Sequence, residues 1–599
     1  MTQPHMKNVE SGDLPSVAPP KSLPPKPGEK VRGARILVES LLEEGVDLIF
    51  GYPGGAILHV YDELHKCQDR IRHVLVRHEQ GAVHAAEGLA RSQNTVGVAM
   101  VTSGPGATNV VTGLQNAMLD STPIVVISGQ VNSTLIGSDA FQEADVVGIT
   151  RPCTKYNYLV KDVNDLAKTL KEAFYLARSG RPGPVLVDVP KDITAHECVF
   201  EYPKTVDLPS YKPTFRGHNL QVKKALDLIQ HYDKTILYVG GGVVSSGAEP
   251  ELLELAKRLN VPVTPTLMGL GCYPPTDHQN LGMLGMHGTY TANKAMSEAE
   301  LIIAVGSRFD DRVTGRLDKF ALKAKKIHID IDPTSLNKTV QVDVPIVGDA
   351  KTVLKQLLAG LPDEAPKPRD DWWKTLNGWR TKYPLAYKDD ANSIKPQRLF
   401  EELARLTEGR YICSTDVGQH QMWTAQYYPF QTAQKWLTSG GLGTMGYGLP
   451  AAMGAAMASD EPVVCVTGDG SFQMCIQELA TCVHEGLNVK VVVMNNNFLG
   501  MVRQWQEMFY SRRYSEVGMK YFPDFKAIAE AYGATGLRAE KPEEVAAVLK
   551  QGFETPGTVI MDIIVHKESN VFPMLPAGAA HYEIVMDPEV FPESTGGKS

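Results

Sequence analysis

The sequence predicts an α/β protein built from three doubly wound, mainly parallel sheets and a C-terminal arm. Short β-branched runs alternate with amphipathic segments, the rhythm of strand–helix–strand units laid over a parallel sheet. Two proline-rich stretches interrupt that alternation, and at 599 residues the chain is too long for one core.

Residues 1–33 are rich in Pro, Ser and Lys (SVAPPKSLPPKPGEK) with almost no aromatic or branched apolar side chains, so a disordered tail is expected there. The first domain, 34–200, begins with the helical pattern ARILVESLLEEG and the strand DLIFGYPGG, then runs through VGVAMVTSG, PIVVISG and PVLVDVP. YPKTVDLPSYKPTFRG reads as a linker to a second domain, 217–362, with strands in TILYVGGG, LIIAVGS and KIHIDID. LPDEAPKPRDDWW reads as a second linker, and a third domain, 393–566, holds RYICSTDVG, VVCVTGDG and VKVVVMNNN. The last stretch, 567–599, is Pro- and Gly-rich with little periodicity and reads as an arm. No short-period repeat is visible, which excludes a solenoid.

Composition excludes several function classes. Hydrophobic residues make up 43% and charged residues 21%, ordinary for a globular protein, and no apolar run approaches the ~20 residues that span a bilayer. The net charge of -8 comes without a basic block, so nucleic acid is not expected as a partner. Eight scattered cysteines form no CxxC pair, which argues against both zinc and a disulfide framework. The N-terminus has no signal-peptide core and carries Glu10 and Asp13 with few arginines, so a cytoplasmic location is expected.

The strongest chemical signal lies in the third domain. VVCVT reads as a buried strand ending at Gly468-Asp469-Gly470, with Ser471 as a helix N-cap. Phe472, Ile476, Leu479 and Val483 follow at helical spacing, and Gly486 is a stop. Val489–Met494 is the next strand, ending at Asn495-Asn496-Asn497. A βαβ crossover puts the carboxyl ends of its two strands together, so Asp469 and Asn496 should meet at the sheet edge where open α/β folds bind ligands. One carboxylate, one amide oxygen and a carbonyl suit Mg²⁺ shared with a diphosphate. The glycines admit phosphate to the backbone, and the helix N-terminus favours its charge. Either motif alone is only a turn or a loop; the helix that joins them gives the pairing its weight. No glycine-rich loop ends in GK[ST], so a P-loop is excluded.

This pairing resembles the thiamine-diphosphate signature, GDG followed some two dozen residues later by NN. The resemblance implies that Asp469, Asn496 and the Phe498 carbonyl hold the metal, with Gly470 and Ser471 at the phosphates. In the first domain, Glu79 stands just after a strand at the start of an amphipathic helix, where a glutamate is also simply favoured by the helix dipole. RHEQGAVHAAEGLAR together with TSGPGATN resembles the pyrimidine-binding domain of the acetohydroxyacid synthase (acetolactate synthase) family, in which Glu79 matches the carboxylate that hydrogen-bonds the aminopyrimidine. Glu87 reads as a network residue. LTSGGLGTMGYGLPAA offers Met445 as the apolar wedge beneath the cofactor and the Gly443 carbonyl as acceptor for its amino group, both by family match; alone, Met445 is an ordinary core methionine.

The resemblance runs from about residue 34 to 580 through GYPGGA, SDAFQE, RPGPVLVDVPKD, GMHG, GSRFDDRVTG, VGQHQMW and LGMVRQWQ. It implies that Gln142 and Lys191 line the substrate path, with Phe141 beside Gln142 and Gly55 at the wall. Gln419 and His420 would contact the diphosphate, and Met501 and Trp505 the second substrate, Trp505 favouring 2-oxobutyrate over pyruvate. It implies an FAD-binding central domain with contacts from Arg181, Gly241, Gly242, Met286, His287, Gly288, Arg308, Asp310, Asp330, Ile331 and Asp349. The residues themselves support FAD less directly. Gly240-Gly241-Gly242 follows a strand but departs from GxGxxG at Ser245, and Asp330 at a strand end suits either a ribose hydroxyl or a turn. Asn132 stands where plant members of the family carry Pro, a departure in the access channel. The implied reaction joins pyruvate, after loss of CO₂, to pyruvate or 2-oxobutyrate, in a homodimer or homotetramer with a separate small regulatory subunit. Another thiamine-diphosphate enzyme (an oxidase, a decarboxylase or an FAD-free synthase) is the near alternative, and an inactive regulatory homologue the distant one.

Overall fold

The structure, a computed structural model, describes residues 23–363, 366–521 and 523–595. Three parallel sheets carry the fold, as the alternation of strand and helix patterns predicted. In the first domain the strands lie in the order Arg72–Leu75, Leu48–Gly51, Gly97–Val101, Ile124–Gln130, Pro184–Pro190, Tyr156–Leu159. In the third the order is Trp436–Thr438, Ile412–Thr415, Val463–Gly468, Val489–Asn495, Val559–Ile564, Thr535–Ala539. Numbered by chain order within each domain, both sheets run 2-1-3-4-6-5 and every pair is parallel. The central sheet is five parallel strands, Val263–Pro265, Thr235–Val239, Leu301–Val305, Lys325–Asp330, Val344–Val347, in the order 2-1-3-4-5.

In the first and third sheets, the helix joining the second strand to the third occupies the same place. These helices, Glu79–Gln93 and Gly448–Ala458, pack directly on each other and fuse the two domains into one core. The seam is made by paired small residues. A Cβ at Gly88 would stand 2.1 Å from the Ala451 carbonyl oxygen, and one at Gly454 would stand 1.9 Å from that of Ala85. On each helix the alanine precedes the glycine by three residues, so the contact has an approximate twofold symmetry.

Three expectations are corrected. The tail expected over 1–33 is ordered at its end: Lys30–Arg32 pairs antiparallel with Glu197–Val199, and a helix starts at Gly33. Local composition cannot reveal a strand whose partner lies over 160 residues away. The rest of that tail, 1–22, lies outside the described residues. In the second expected linker, DDWW opens the helix Asp370–Lys382, whose buried Trp372 donates its indole N–H to Thr235 O (3.3 Å) in the central sheet. The helix expected after GDG is broken into Asp469–Phe472, a 3-10 turn at Ile476–Glu478 and Leu479–His484. Its N-cap is Gly468, not Ser471; Ser471 sits three residues in and its Oγ accepts from Gly468 N (3.2 Å). The expected stop at Gly486 is a left-handed glycine (φ 65°).

The C-terminal arm does not stand free. Leu575 N donates to Met286 O (2.7 Å) in the central domain, and Val571 N to Gln504 Oε1 (2.8 Å) in the helix Gly500–Phe509.

Candidate active site

Each sheet order reverses direction between its first and third strands, and open α/β folds bind ligands at such a switch point. In the third domain the segment after the first strand begins the helix Gln419–Tyr427, and the segment after the third begins with Asp469. Val489–Asn495 pairs with Val463–Gly468 in parallel register, Gly468 opposite Met494. Asp469 and Asn496 therefore meet as the sequence predicted, joined by hydrogen bonds. Asp469 Oδ2 accepts from Asn496 N (3.2 Å) and Asn497 N (2.6 Å), and Oδ1 from Gly470 N (2.8 Å). Asp469 is buried, and that burial lifts its carboxyl to about 7. A bound cation offsets the cost of the anion that burial imposes, so this carboxylate fits a divalent metal. Asn496 Oδ1 here accepts from Phe498 N (3.0 Å), while its amide donates to Gln419 Oε1 (3.3 Å).

Gln419 is fixed from its other end, where Nε2 donates to Gln504 Oε1 (2.9 Å) and Ser569 O (2.9 Å). His420 is buried with Nε2 lacking a partner, and burial pulls its imidazole down to about 3. A neutral ring with an unsatisfied nitrogen beside a helix N-terminus fits an incoming anionic ligand. Gly443 has φ 76° in the loop before Met445, whose Cε would lie 4.0 Å from a Cβ at Gly470.

Beside this edge a cavity of about 890 Å³ lies between the third and central domains; Asp469, Asn496, Gln419 and His420 are not among its lining residues. Gly443, Met445, Met501 and Trp505 form one part of its wall. Arg181, Gly241, Gly242, Met286, His287, Arg308, Asp310, Asp330, Ile331 and Asp349 form the other. Here too the switch point is the site: Gly242 after the first central strand packs so tightly on Gly306 after the third that a Cβ would stand 2.5 Å from Gly306 Cα. His287 is buried beside the Pro573 backbone and is drawn down to about 4 by burial. Burial raises Asp330 to about 6. Arg308 pairs with Asp310, and Arg181 donates Nε to Ser121 Oγ (2.8 Å). Gly288 is the exception. It is buried behind the wall, its N donating to Gly285 O (3.0 Å), because the GMHG turn carries it away from the cavity that Met286 and His287 face.

Of the residues predicted in the first domain, Glu79 and Gln142 are brought together. Glu79 is the first residue of its helix, and its Oε2 accepts from Asn109 Nδ2 (2.9 Å). A Cβ at Gly106 would lie 3.5 Å from Glu79 Oε1, and one at Gly104 would lie 2.7 Å from Gln142 O, so TSGPGATN bridges Glu79 and Gln142. Gln142 has φ 59°. Phe141 is 89% exposed, Gly55 is exposed with nothing within 4 Å of a Cβ, and Lys191 opens the short helix Lys191–Ala195. None of Glu79, Gly55, Phe141, Gln142 or Lys191 lines the cavity that holds Met445. The Glu79–Gln142 residues and the Met445 cavity are thus formed by different parts of the chain.

Family models of thiamine pyrophosphate enzymes match along the chain: the N-terminal TPP binding domain over 31–149, the central domain over 222–357 and the C-terminal TPP binding domain over 416–563. The chain is 50% identical over 565 residues to the acetolactate synthase large subunit of Haemophilus influenzae, covering 93% of this chain and 98% of that protein. It is 52% identical over 556 residues to the acetolactate synthase isozyme 3 large subunit of Escherichia coli, covering 91% and 97%. The chain belongs to the acetolactate synthase family of thiamine pyrophosphate enzymes. The acetolactate synthase of Mycobacterium leprae is 48% identical over 604 residues, 97% of this chain and 96% of that one.

Within this family frame, the structure adds residues that sequence reasoning missed. Glu478 is buried and accepts from Arg77 N (2.9 Å) and His78 N (3.1 Å), tying the third domain to the turn before Glu79. Asp416 is buried and accepts from Gly446 N (2.7 Å), Gly448 N (2.9 Å) and Thr467 Oγ1 (2.6 Å), holding the Met445 loop to the strand that ends in GDG. Asp416 stood in the notable VGQHQMW neighbourhood, where a carboxylate closing a strand was the available signal. Glu87 is the network residue expected, wholly buried between His84 Nδ1 (3.0 Å) and Asn116 Nδ2 (2.8 Å).

Proposed function

We propose that the chain catalyses acetolactate synthesis. It decarboxylates pyruvate and joins the remaining two-carbon unit to a second 2-oxoacid, giving 2-acetolactate or 2-aceto-2-hydroxybutyrate, the first common step toward the branched-chain amino acids. The observation that carries this reading is the meeting of Asp469 and Asn496 at a switch point beside Met445, which lines the cavity bearing Trp505. Bound there, thiamine diphosphate supplies the electron sink for both carbon–carbon steps. Asp469, the Asn496 amide oxygen and the Phe498 carbonyl would hold Mg²⁺ against its diphosphate, with Gln419, His420, Gly470 and Ser471 around it. Glu79 would hold the proton shared with the aminopyrimidine ring nitrogen, and the Gly443 carbonyl would accept from the amino group. Met445, Met501 and Trp505 present apolar surface that keeps water from the reacting carbon.

Because Glu79 lies outside the Met445 cavity of its own chain, its carboxylate is assigned to the site of a second copy. The active unit is then at least a homodimer, with Gln142, Lys191 and Gly55 beside Glu79 at the same seam. The relatives' designation as large subunits supports a separate small regulatory subunit. No helix among the described residues is long and apolar enough to cross a membrane, in keeping with a cytoplasmic setting. FAD is the fitting occupant of the central cavity: Gly241 and Gly242 at the switch point would admit a pyrophosphate, and His287 and the carboxylates Asp330 and Asp349 line it.

The test is acetolactate formation from pyruvate, with thiamine diphosphate, Mg²⁺ and FAD omitted in turn. Product that requires the first two supports the reading; acetaldehyde or peroxide in its place would overturn it. A Cβ at Gly241 meets only Met268, at 3.5 Å, so Gly241→Val projects into the cavity without crowding the backbone. That variant should fold, bind thiamine diphosphate and lose the flavin absorbance of the purified protein. Trp505 packs edge-on against Phe509 (centroids 5.4 Å) in the cavity wall. Trp505→Leu should cut the preference for 2-oxobutyrate over pyruvate by the ~1–3 kcal/mol that one methylene is worth, read from the product ratio in competition.

A further inference from the structure

The loop that presents Gly443 and Met445 belongs to the third domain, yet the first domain grips it. The helix Val111–Asp120 ends against this loop so closely that a Cβ at Gly441 would stand 2.7 Å from Leu119 Cβ. Asp120 accepts from Gly440 N (3.0 Å) and Gly441 N (2.6 Å), and Arg91 donates to Thr438 O (2.6 Å). At the centre is Asn116, wholly buried. Its Oδ1 accepts from Ser439 Oγ (2.5 Å) and Thr444 Oγ1 (2.9 Å), and its Nδ2 donates to Glu87 Oε2 (2.8 Å). Ser439 Oγ in turn accepts from Thr444 N (2.8 Å), which closes the turn leading into Met445.

We propose that Asn116 is a positioning residue for the reaction: from the first domain it fixes the turn that aims the Gly443 carbonyl and the Met445 side chain. Asn116 does not line the cavity, so it acts through Ser439 and Thr444. The position demands both an acceptor for two hydroxyls and a donor for the Glu87 carboxylate, and of the side chains of this size only an amide supplies both. Aspartate would set a second anion against Glu87, and an apolar residue would strand the polar groups around it. The diphosphate and metal groups sit on other segments, those after Ile412–Thr415, Val463–Gly468 and Val489–Asn495, so loss of Asn116 leaves them in place. Displacement of the Gly443–Met445 turn then spoils the aim of the cofactor's reacting end rather than its capture.

This proposal rests on the thiamine-diphosphate reading above. The test uses the full chain with Mg²⁺, FAD and thiamine diphosphate, in the wild type, Asn116→Ala, Thr444→Val and Thr444→Ser. Calorimetry gives the Kd for thiamine diphosphate, and quenched NMR gives the rate at which its bound C2 proton exchanges with deuterium in the absence of pyruvate. Asn116→Ala and Thr444→Val should each slow exchange and lower kcat by about 10- to 100-fold, the scale of a misaligned reacting group, with Kd little changed. Thr444→Ser, which keeps the hydroxyl, should restore exchange, and the double variant Asn116→Ala/Thr444→Val should be no slower than the worse single one. Parental exchange in both single variants overturns the proposal, as does a deficit that vanishes at saturating cofactor. Should Asn116→Ala fail to fold, Thr444→Val against Thr444→Ser decides alone. A wild-type chain that takes up no thiamine diphosphate overturns the reading of function and this proposal with it, whereas wild-type exchange with unaffected variants overturns only the role of Asn116.

Discussion

Glu79→Gln should lower the turnover of pyruvate by about 10²- to 10⁴-fold, the usual size of lost acid–base assistance, with the fold intact. The structure explains why the two effects separate. Glutamine has the same length, and its amide oxygen can still accept from Asn109 Nδ2, the one side-chain hydrogen bond of Glu79 among the described residues. What goes is the carboxylate at the first turn of its helix, worth about 0.3–1 kcal/mol through the helix dipole, so melting should barely move. Turnover measured with saturating cofactors, beside a thermal melt, tests both halves. Near-normal acetolactate formation by the variant would defeat the assignment of Glu79.

Asp469→Ala should abolish magnesium-dependent binding of thiamine diphosphate. The carboxylate carries more than metal, since it accepts from the N–H groups of Gly470, Asn496 and Asn497 in a buried turn. Alanine leaves those donors without an acceptor, at roughly 1–3 kcal/mol for each buried group stranded, so the variant should also melt earlier. Asp469→Asn separates the roles: it keeps an acceptor oxygen for the turn but removes the charge that draws the cation. Both variants should give flat titrations in a calorimeter, while only alanine shifts the melt strongly. A titration unchanged from the parent would sink the metal assignment.

Which parts of this site could be read from sequence follows from how far apart the interacting residues lie. Asp469 and Asn496 were legible because they end neighbouring strands of one crossover, and parallel pairing fixes where such ends fall. The central cavity was half legible: the glycines after Thr235–Val239 and the aspartate ending Lys325–Asp330 sit at strand ends that chain order can locate, but the GMHG turn swings Gly288 out of the wall through a hydrogen bond no pattern announces. Helical spacing after GDG was misleading. Phe472 and Leu479 are both buried, yet the chain between them breaks, since burial on one side does not require an unbroken helix. Asn116 and Asp120 were invisible for another reason. A polar residue inside an apolar pattern reads as a solvated face until the opposing domain is placed against it. The strand at Lys30–Arg32 was missed in the same way, its partner lying at the far end of the first domain.

The shared strand order of the outer domains has a consequence for ancestry. Two frames of one topology, fused through equivalent helices at Gly88–Ala451 and Gly454–Ala85, are what gene duplication leaves when the copies diverge in sequence but keep their seam. On the function proposed above, the labour is divided between them: one copy carries the turn assigned to phosphate and metal, the other the acid at a helix start. The shared strand order and the paired seam helices are where that kinship is visible.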